Sequence, residues 1–294
     1  MKFVVVAEED GLRLDAVVAE RCHCSRAEAN RWIDDGQARL RGKKSRGGIR
    51  VSTGDSIEVT ASSEKRPVAE IGPLSILRED AAFLALDKPA KMPTHPLRSG
   101  ETGTLANRVL AKFPECGDAS VDPREGGAAH RLDGETSGVI LFARSRDVWT
   151  RLRDSFRNGE VAKEYLALVI GSPQQKTFEI CAPLAHAGHR VRVRDDGAPA
   201  ETHVEVLAQR GDFALVKAST STGRMHQVRA HLAHVGHPLV GDEIYGGPAS
   251  PLGHILHAHE IEFPHPITGA RIRVVAPLPA DRAQEIARTT GLSL

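Results

Sequence analysis

The chain has 294 residues, a length that predicts two domains with enough interior for a substantial core. Its 39 basic and 38 acidic residues nearly cancel, so a polyanionic partner must be met by a local basic patch rather than by a whole-molecule field. Four cysteines, no secretory leader and no apolar run near the roughly 20 residues of a membrane span argue against secreted and membrane proteins and favour the cytoplasm.

Residues 1–60 are predicted to form a small domain of two helices followed by a β-ribbon. In RLDAVVAERC apolar residues recur at helical spacing, and in SRAEANRWIDDG Ser25 is a candidate N-cap, with Glu28 completing a capping box and Gly36 at the stop. The next stretch, ARLRGKKSRGGIRVSTGDSIEV, changes to a turn-rich, strand-like pattern. Residues 61–73, which are polar and contain a proline, are predicted to be a linker.

Positive charge is concentrated in this first predicted domain, with nine basic residues against three acids between Arg21 and Arg50. Such a concentration is typical of phosphate binding, although a solvated charged face explains it equally well from charge alone. Trp32 lies at helical spacing and is expected in the core rather than on a base-stacking surface. The residues predicted to contact phosphate are Arg26, Arg31, Arg41, Lys43, Lys44 and Arg46.

Residues 74–280 are predicted to form one α+β domain, a largely antiparallel mixed β-sheet with flanking helices, followed by a C-terminal tail at 281–294. Strands are expected in SILREDAAFLALDKPA (a pair), VILFARS and KEYLALVI, a helix in DVWTRLRDSFRNG, and a hairpin in THVEVLAQRGDFALVKAST. TGRMHQVRAHLAHVGHP is predicted to be a helix with Val228, Leu232 and Val235 on one face and a glycine at its stop. Hairpin-like connections favour this class over a doubly wound sheet.

Fourteen histidines raise the question of a metal site, which the spacing of possible ligands does not favour. Two groups of neighbouring candidates occur: Cys22, His23 and Cys24, and His226, His231, His234 and His237. Neither has the spacing of common zinc sites, and a helical face shared by His231 and His234 is the best arrangement available to zinc. Dinucleotide, triphosphate and nucleophile-elbow motifs are also absent from the sequence. We therefore expect no metal and no cofactor.

The segment AHRLDGETSG at 129–138 places one acid, Asp133, between a basic residue and a run of small and hydroxyl residues. An aspartate that acts as base or nucleophile must stay ionised, and a nearby guanidinium both favours the charged form and fixes its orientation. The predicted helix in TGRMHQVRAHL offers Arg224 and Arg229 for this purpose. Taken alone, each of these residues is better explained by a surface salt bridge or a helix cap.

Three motifs in order along the chain resemble those of the RluA-type pseudouridine synthases. They are HRLDGETSG at 130–138, KEY at 163–165 and TGRMHQVRAHLAHVGHPLVGDEIYG at 222–246. Residues 1–60 resemble the small RNA-binding domain shared by a small-subunit ribosomal protein and bacterial tyrosyl-tRNA synthetases. The resemblance runs from Gly11 to Pro277 and implies an enzyme that isomerises specific uridines in RNA to pseudouridine.

This resemblance also implies roles for individual residues. Asp133 is expected to be the catalytic carboxylate, Arg229 its ion-pair partner, and Tyr165 the aromatic residue over the uracil, with a part in handling the proton on carbon 5. Arg131 is expected to help open the RNA by occupying the space that the target nucleotide leaves. The other residues expected to bind substrate are His130, Thr136, Arg224, His226 and Gln227.

The expected partner is RNA, with ribosomal RNA of the large subunit as first choice and transfer RNA as second. We expect a monomer with no metal, no cofactor and no membrane contact. The main alternative is an inactive RNA-binding or ribosome-assembly factor that retains the fold, and a third interpretation is a zinc-dependent nucleic-acid enzyme. Retention of Asp133, Tyr165 and Arg229 argues against the inactive factor. Whether the aspartate adds to the sugar or removes its 2′ proton stays open.

Overall fold

The structure, a computed structural model, describes residues 1–60, 66–188 and 190–292. Contacts between residues divide the chain into two compact units, Met1–Lys65 with Arg98–Gly100, and Arg66–Leu97 with Glu101–Leu294. Of the predicted linker at 61–73, residues 61–65 lie outside the described residues, and the described remainder has no helix or strand.

The first unit combines a three-stranded antiparallel sheet with two helices. In chain order its elements are β1 (Lys2–Val4), a 3-10 helix (Ala7–Glu9), α1 (Leu14–Arg21), α2 (Arg26–Asp34), β2 (Ala38–Leu40) and β3 (Ser56–Val59). The strands lie in the order β1-β3-β2. Trp32 is 4% exposed and packs in the core of this unit, as predicted.

The two ends of α2 are set by residues that the sequence identifies, Ser25 at the start and Gly36 after the end. Ser25 Oγ accepts a hydrogen bond from the amide nitrogen of Glu28 at 3.2 Å, which confirms the predicted N-cap and forms one half of a capping box. The helix ends at Asp34, and Gly36 takes a φ of 74°, a left-handed conformation in which glycine has no steric penalty.

Among the described residues, the second unit has eleven strands, nine of which form one sheet. Its strands are β4 (Ser75–Glu79), β5 (Phe83–Lys88), β6 (Ser137–Ala143), β7 (Ala162–Ile170), β8 (Thr177–Cys181), β9 (Leu184–Ala187), β10 (Arg190–Val193), β11 (Glu201–Arg210), β12 (Phe213–Thr220), β13 (Leu256–Pro264) and β14 (Arg271–Val275). Its helices are α3 (Leu105–Lys112), α4 (Arg146–Arg157), α5 (Gln227–His234) and α6 (Ala280–Thr290), with 3-10 helices at Pro114–Asp118, Pro123–Glu125 and Glu243–Tyr245. None of the helices among the described residues is both long and apolar enough to cross a membrane.

The strand order confirms the predicted fold class. The sheet runs β4-β5-β6-β13-β7-β12-β11-β8, with β14 beside β13, while β9 and β10 form a separate hairpin. Within the described residues, the pairing of β6 with β13 is parallel and the other ladders are antiparallel. The unit is therefore α+β with a largely antiparallel mixed sheet, and the parallel step brings the starts of β6 and β13 together.

Helices cover both faces of β7, and strand alternation explains how. Ala167 and Val169 point to the face where α5 packs, whereas Leu166 and Leu168 point to the other face and belong to the same hydrophobic cluster as Ile286 of α6. The segment at 281–294, for which the sequence predicted only a tail, thus contains a helix that closes the core.

Two features of α5 differ from the expectation. The helix begins only at Gln227, because His226 before it has a φ of 53°, which is left-handed and non-helical. Val228 and Leu232 are buried as predicted, but Val235 is 39% exposed. The placement of Val235 on the buried face is wrong, since the helix ends at His234.

Candidate active site

A cavity of about 680 Å³ in the second unit brings the three motifs together. Asp133 lies on the loop before β6, Tyr165 on β7 and Arg229 on α5, so the parallel pairing of β6 and the central position of β7 place them around one space. The predicted site residues that line the cavity are His130, Arg131, Asp133, Thr136, Tyr165, Arg224, His226, Gln227 and Arg229.

Arg229 holds two carboxylates at the base of the cavity. Its Nη1 donates to Asp133 Oδ2 at 2.8 Å, while Nε and Nη2 donate to the two oxygens of Asp242 at 2.7 and 2.8 Å. Burial alone would lower the pKa of Arg229, but the hydrogen bonds and negative charges of Asp242 and Asp133 outweigh it and raise that pKa, so the guanidinium stays charged. The predicted ion pair of Asp133 with Arg229 is present in the structure.

The two carboxylates differ in their access to the cavity. The side chain of Asp242 is 1% exposed and that of Asp133 is 23% exposed. Asp242 fixes the guanidinium through a bidentate pair, a geometry that a planar fork of donors allows. Asp133 takes one remaining donor and keeps an oxygen toward the cavity, so it is the carboxylate that a substrate can reach.

The loop that carries Asp133 is held from behind by buried polar groups. The carbonyl oxygen of Asp133 accepts from the amide of Thr136, whose hydroxyl lies 2.8 Å from His254 Nε2. Lys88, fully buried at the end of β5, donates from Nζ to the carbonyl oxygens of Pro89, Met92 and Gly134. Burial lowers the pKa of this lysine to about 7.

Tyr165 lies in the centre of the sheet with small neighbours. Ala218 of β12 and Ala258 of β13 are directly opposite it on the two adjacent strands, and cross-strand partners share a face of the sheet. Burial, with a smaller contribution from the negative charge of Asp133, raises the pKa of Tyr165, so it is a neutral phenol at neutral pH. The half-buried ring lines the same cavity as Asp133.

His226 lies beside the ion pair of Asp133 and Arg229. Its Nε2 is 3.7 Å from Asp133 Oδ1, beyond hydrogen-bond distance, and its Nδ1 is 3.1 Å from the hydroxyl of Tyr245. Burial lowers the pKa of His226 below its ordinary value. The imidazole is thus neutral near pH 7 and presents a polar edge to the cavity.

Two predicted substrate-binding residues, His130 and Gln227, form hydrogen bonds with other groups of the protein. His130 Nε2 accepts from the amide of Leu141 at 3.1 Å, and burial lowers its pKa to about 3. Gln227 is buried, and its carboxamide bonds the hydroxyls of Thr222 and Thr220 as well as backbone groups. These contacts hold the cavity wall in shape.

Basic side chains line the cavity wall. Arg131 is exposed, and the exposed Arg224 donates from Nε to the carbonyl oxygen of Pro199 at 3.2 Å. Arg153 and Arg157 of α4 also line the cavity, but they were not predicted, because the sequence pattern of α4 is that of an ordinary amphipathic helix. The resulting positive lining suits a phosphate backbone.

Asp242 and Lys88, which bond Arg229 and the loop that carries Asp133, were not predicted from the sequence. Asp242 lies within the third motif, 13 residues after Arg229, and its position just after a glycine turn was the available signal. Lys88 is a charge at the end of a strand whose other residues are mostly buried. A lysine in such a run must find acceptors inside the protein.

The basic residues predicted in the first unit are all exposed, but two of them have structural partners. Arg26 donates to Asp15 at 3.0 Å, and Arg41 forms a bidentate pair with Asp55. Both carboxylates are buried, so these pairs also stabilise the unit. Exposed positive charge is otherwise offered by Arg31, Lys43, Lys44 and Arg46.

Possible metal ligands do not gather at the cavity among the described residues. Glu179, Cys181 and Glu201 form one exposed group on β8 and β11, with ligand atoms within 4.8 Å of one another. His231, considered for zinc in the sequence, is buried with its two ring nitrogens 2.9 Å from the hydroxyl of Thr202 and the carbonyl oxygen of Ala182. It is a structural histidine.

Comparisons with known proteins identify the family of the chain. The profile of a family described as RNA pseudouridylate synthase matches residues 82–234. A protein of Xanthomonas campestris pv. campestris described as ribosomal large subunit pseudouridine synthase D is 35% identical over 95% of this chain and 89% of its own. A protein of the same description from Escherichia coli O6:H1 is 32% identical over 94% and 90%. The solved structure of human RNA pseudouridylate synthase domain containing 1 matches with a TM-score of 0.58 at 26% identity, covering 72% of this chain and 86% of that one.

Proposed function

The chain belongs to the RNA pseudouridylate synthase family and is an isomerase of RNA uridines, and we propose that it acts on large-subunit ribosomal RNA through Asp133 without a cofactor. The descriptions of the Xanthomonas and Escherichia relatives support this choice of RNA, with transfer RNA as the second candidate. The observation that carries the mechanism is the ion pair of a cavity-facing Asp133 with an Arg229 fixed by Asp242.

The reaction requires little beyond a positioned carboxylate. The bond from C1′ of ribose to N1 of uracil breaks, the base turns, and C1′ joins C5, while C5 loses a proton and N1 gains one. Atoms and electrons balance without an oxidant, a reductant or a second substrate. Asp133, ion-paired with Arg229, serves either as the nucleophile at C1′ or as the base for the 2′ proton.

The cavity provides space for a nucleotide that has left its stack. Enzymes that act on a base within folded RNA must extrude it into a pocket, and about 680 Å³ is ample for one nucleotide. Tyr165 supplies a stacking surface, worth on the order of 1–3 kcal/mol per base. Because its phenol is protonated at neutral pH, Tyr165 must release its own proton if it takes the proton from C5. Arg131 at the wall would fill the space that the base leaves.

We assign phosphate contacts to the first unit as part of this proposal. The support is the exposed charge of Arg31, Lys43, Lys44 and Arg46. Contacts of this kind position a protein on RNA without reading its sequence. The choice of uridine would then depend on the cavity of the second unit.

The decisive experiment is release of tritium from RNA labelled at C5 of uridine. Large-subunit ribosomal RNA and transfer RNA transcripts are assayed in parallel with a chelator present. We expect release from the ribosomal RNA by the wild type and none by Asp133→Asn, which keeps the shape and removes the charge. Activity of Asp133→Asn would overturn the assignment of the carboxylate, and loss of wild-type activity with chelator would favour the zinc-dependent alternative.

The competing proposal of an inactive RNA-binding or assembly factor predicts RNA binding without tritium release. The intact pairing of Asp133 with Arg229 and the open face of Tyr165 favour the enzyme, because neither arrangement is needed for RNA binding alone. Monomeric state and cytoplasmic location stay predictions.

A further inference from the structure

The C-terminal helix α6 sends a buried arginine to the back of the catalytic loop. Arg282 is 1% exposed. Its Nη1 donates to the carbonyl oxygens of His254 and Leu256 at 3.1 and 2.8 Å, and its Nη2 donates to the carbonyl oxygen of Glu135 at 2.6 Å. One guanidinium therefore joins α6, the start of β13 and the loop that carries Asp133.

This arginine is buried without a carboxylate partner. Arg282 forms no salt bridge among the described residues, and burial lowers its pKa. The interior does not favour an unpaired charge, and a hydrophobic residue at this place would avoid the cost. The hydrogen bonds to three carbonyl oxygens are the interactions that stabilise the buried guanidinium, so the location of these carbonyls indicates the role of Arg282.

One of the three carbonyls, that of Glu135, lies in the segment that follows Asp133, and the other two, those of His254 and Leu256, lie at the start of β13. Glu135 is two residues beyond Asp133, within the turn closed by the bond from the Thr136 amide to the Asp133 carbonyl. His254 also bonds the Thr136 hydroxyl through its ring. Lys88 holds the preceding carbonyl, that of Gly134. Two buried basic side chains thus bond the carbonyls of consecutive residues immediately after Asp133.

We propose that Arg282 is a positioning residue for catalysis, which sets the orientation of Asp133 by fixing the carbonyl of Glu135. The proposal rests on the proposed function of Asp133. Arg229 restrains the carboxylate at its oxygen end, and Arg282 restrains the backbone from which it projects. Misplacement of a reacting group by about 1 Å can reduce a rate on the order of 100-fold. Loss of Arg282 should therefore slow the chemical step while leaving RNA binding intact.

The test compares Arg282→Gln and Arg282→Lys with the control Arg288→Gln. Arg288 is on the same helix but is 71% exposed and paired with Glu285. Single-turnover tritium release is measured with saturating large-subunit ribosomal RNA transcript, and the dissociation constant for the same RNA is measured by filter binding. For Arg282→Gln we expect a rate about 10- to 100-fold lower and an RNA affinity within about 2-fold of wild type. Arg282→Lys keeps the charge but not the fork, so its rate should fall between those of Arg282→Gln and wild type. Arg288→Gln should match the wild type.

A second measurement separates positioning from general stability. Guanidinium at low millimolar concentration is added to Arg282→Ala, with circular dichroism recorded on each sample. Recovery of rate in protein that was already folded supports the proposal. If Arg282→Gln does not fold, Arg282→Lys and this rescue still decide the matter.

Three outcomes would overturn the inference. Folded Arg282→Lys and Arg282→Gln with wild-type rates would show that the contact does not govern catalysis. A rate that falls only in proportion to the unfolded fraction would assign Arg282 to stability alone. A wild type without tritium release would remove the proposed function itself and this inference with it, a result distinct from the first two.

Discussion

Replacing Asp242 by asparagine removes the negative charge that holds Arg229 in place. Asp242 accepts two of the three hydrogen bonds that Arg229 makes to the carboxylates and is almost completely buried. Asparagine has nearly the same shape but offers only one acceptor oxygen. Its NH2 group would face an N–H donor of Arg229, with which it cannot form a hydrogen bond. The guanidinium would keep its bond to Asp133 and lose its bidentate anchor.

The expected magnitude follows from these contacts. Hydrogen bonds to charged groups contribute about 1.5–3 kcal/mol each, and removing one partner of a buried ion pair typically costs about 3–5 kcal/mol because a charge is left behind. Arg229 keeps Asp133 as a counter-charge, so we expect about 3 kcal/mol of lost unfolding free energy. We also expect isomerisation to be at least about 10-fold slower, because Arg229, the ion-pair partner of Asp133, would then be less firmly held in position.

Urea denaturation of wild type and Asp242→Asn measures the first quantity, and single-turnover tritium release measures the second. Asp147→Asn is a matched control, since Asp147 pairs with Arg151 on the surface of α4. Exposed pairs of this kind contribute about 0.3–0.5 kcal/mol. An unfolding free energy for Asp242→Asn within 1 kcal/mol of wild type, together with an unchanged rate, would refute the role given to Asp242 as anchor of Arg229.

Two further predictions concern charge. Changing Lys43, Lys44 and Arg46 together to glutamine should weaken RNA binding and reduce the slope of log affinity against log salt by about 2, since each phosphate contact to single-stranded RNA contributes about 0.7; an unchanged slope would show that these side chains do not contact phosphate. Acid should destabilise the fold from pH 6.5 downward, because burial lowers the pKa of three histidines to between about 3 and 4: His130, His254 and His257. The folded state then binds fewer protons than the unfolded chain between about pH 4 and 6.5, so its unfolding free energy should fall by up to about 4 kcal/mol per pH unit near pH 5. Urea denaturation at pH 7, 6 and 5 measures this, and a loss below 1 kcal/mol per unit would contradict the burial of neutral histidines.

Local patterns in the sequence predicted the elements whose causes are local. Alternating apolar residues predicted the hairpin of β11 and β12, and Ser25 predicted the start of α2. The start of α5 was misjudged because the left-handed turn at His226 depends on its surroundings. Strand β14 and helix α6 were not anticipated, since their place is decided by packing against distant segments.

The site divides in the same way. Asp133, Tyr165 and Arg229 lie in recognisable motifs, and the resemblance of these motifs to the family implies their roles. The residues that hold them, such as Asp242 and Arg282, are buried charges whose partners are set by tertiary contacts: Arg282 meets Glu135 across 147 positions of the chain. No spacing rule reaches that far, because it is the parallel pairing of β6 with β13 that brings these distant segments together.

Arg229 pairs with both Asp133 and Asp242, and the balance of charge among the three groups explains why this pairing does not neutralise the proposed catalytic carboxylate, Asp133. One guanidinium between two carboxylates leaves a net charge of −1, and Asp242, with 1% exposure, has no access to substrate. Asp133 is therefore the carboxylate of this group that faces the cavity, and the proposed mechanism uses its negative charge. Both routes to pseudouridine need this excess charge, because the nucleophile must attack C1′ and the base must accept the 2′ proton. A lysine at position 229 would supply the charge but not the planar fork that binds Asp242 with two donors and Asp133 with a third. The function of Arg229 thus depends on its shape as much as on its charge.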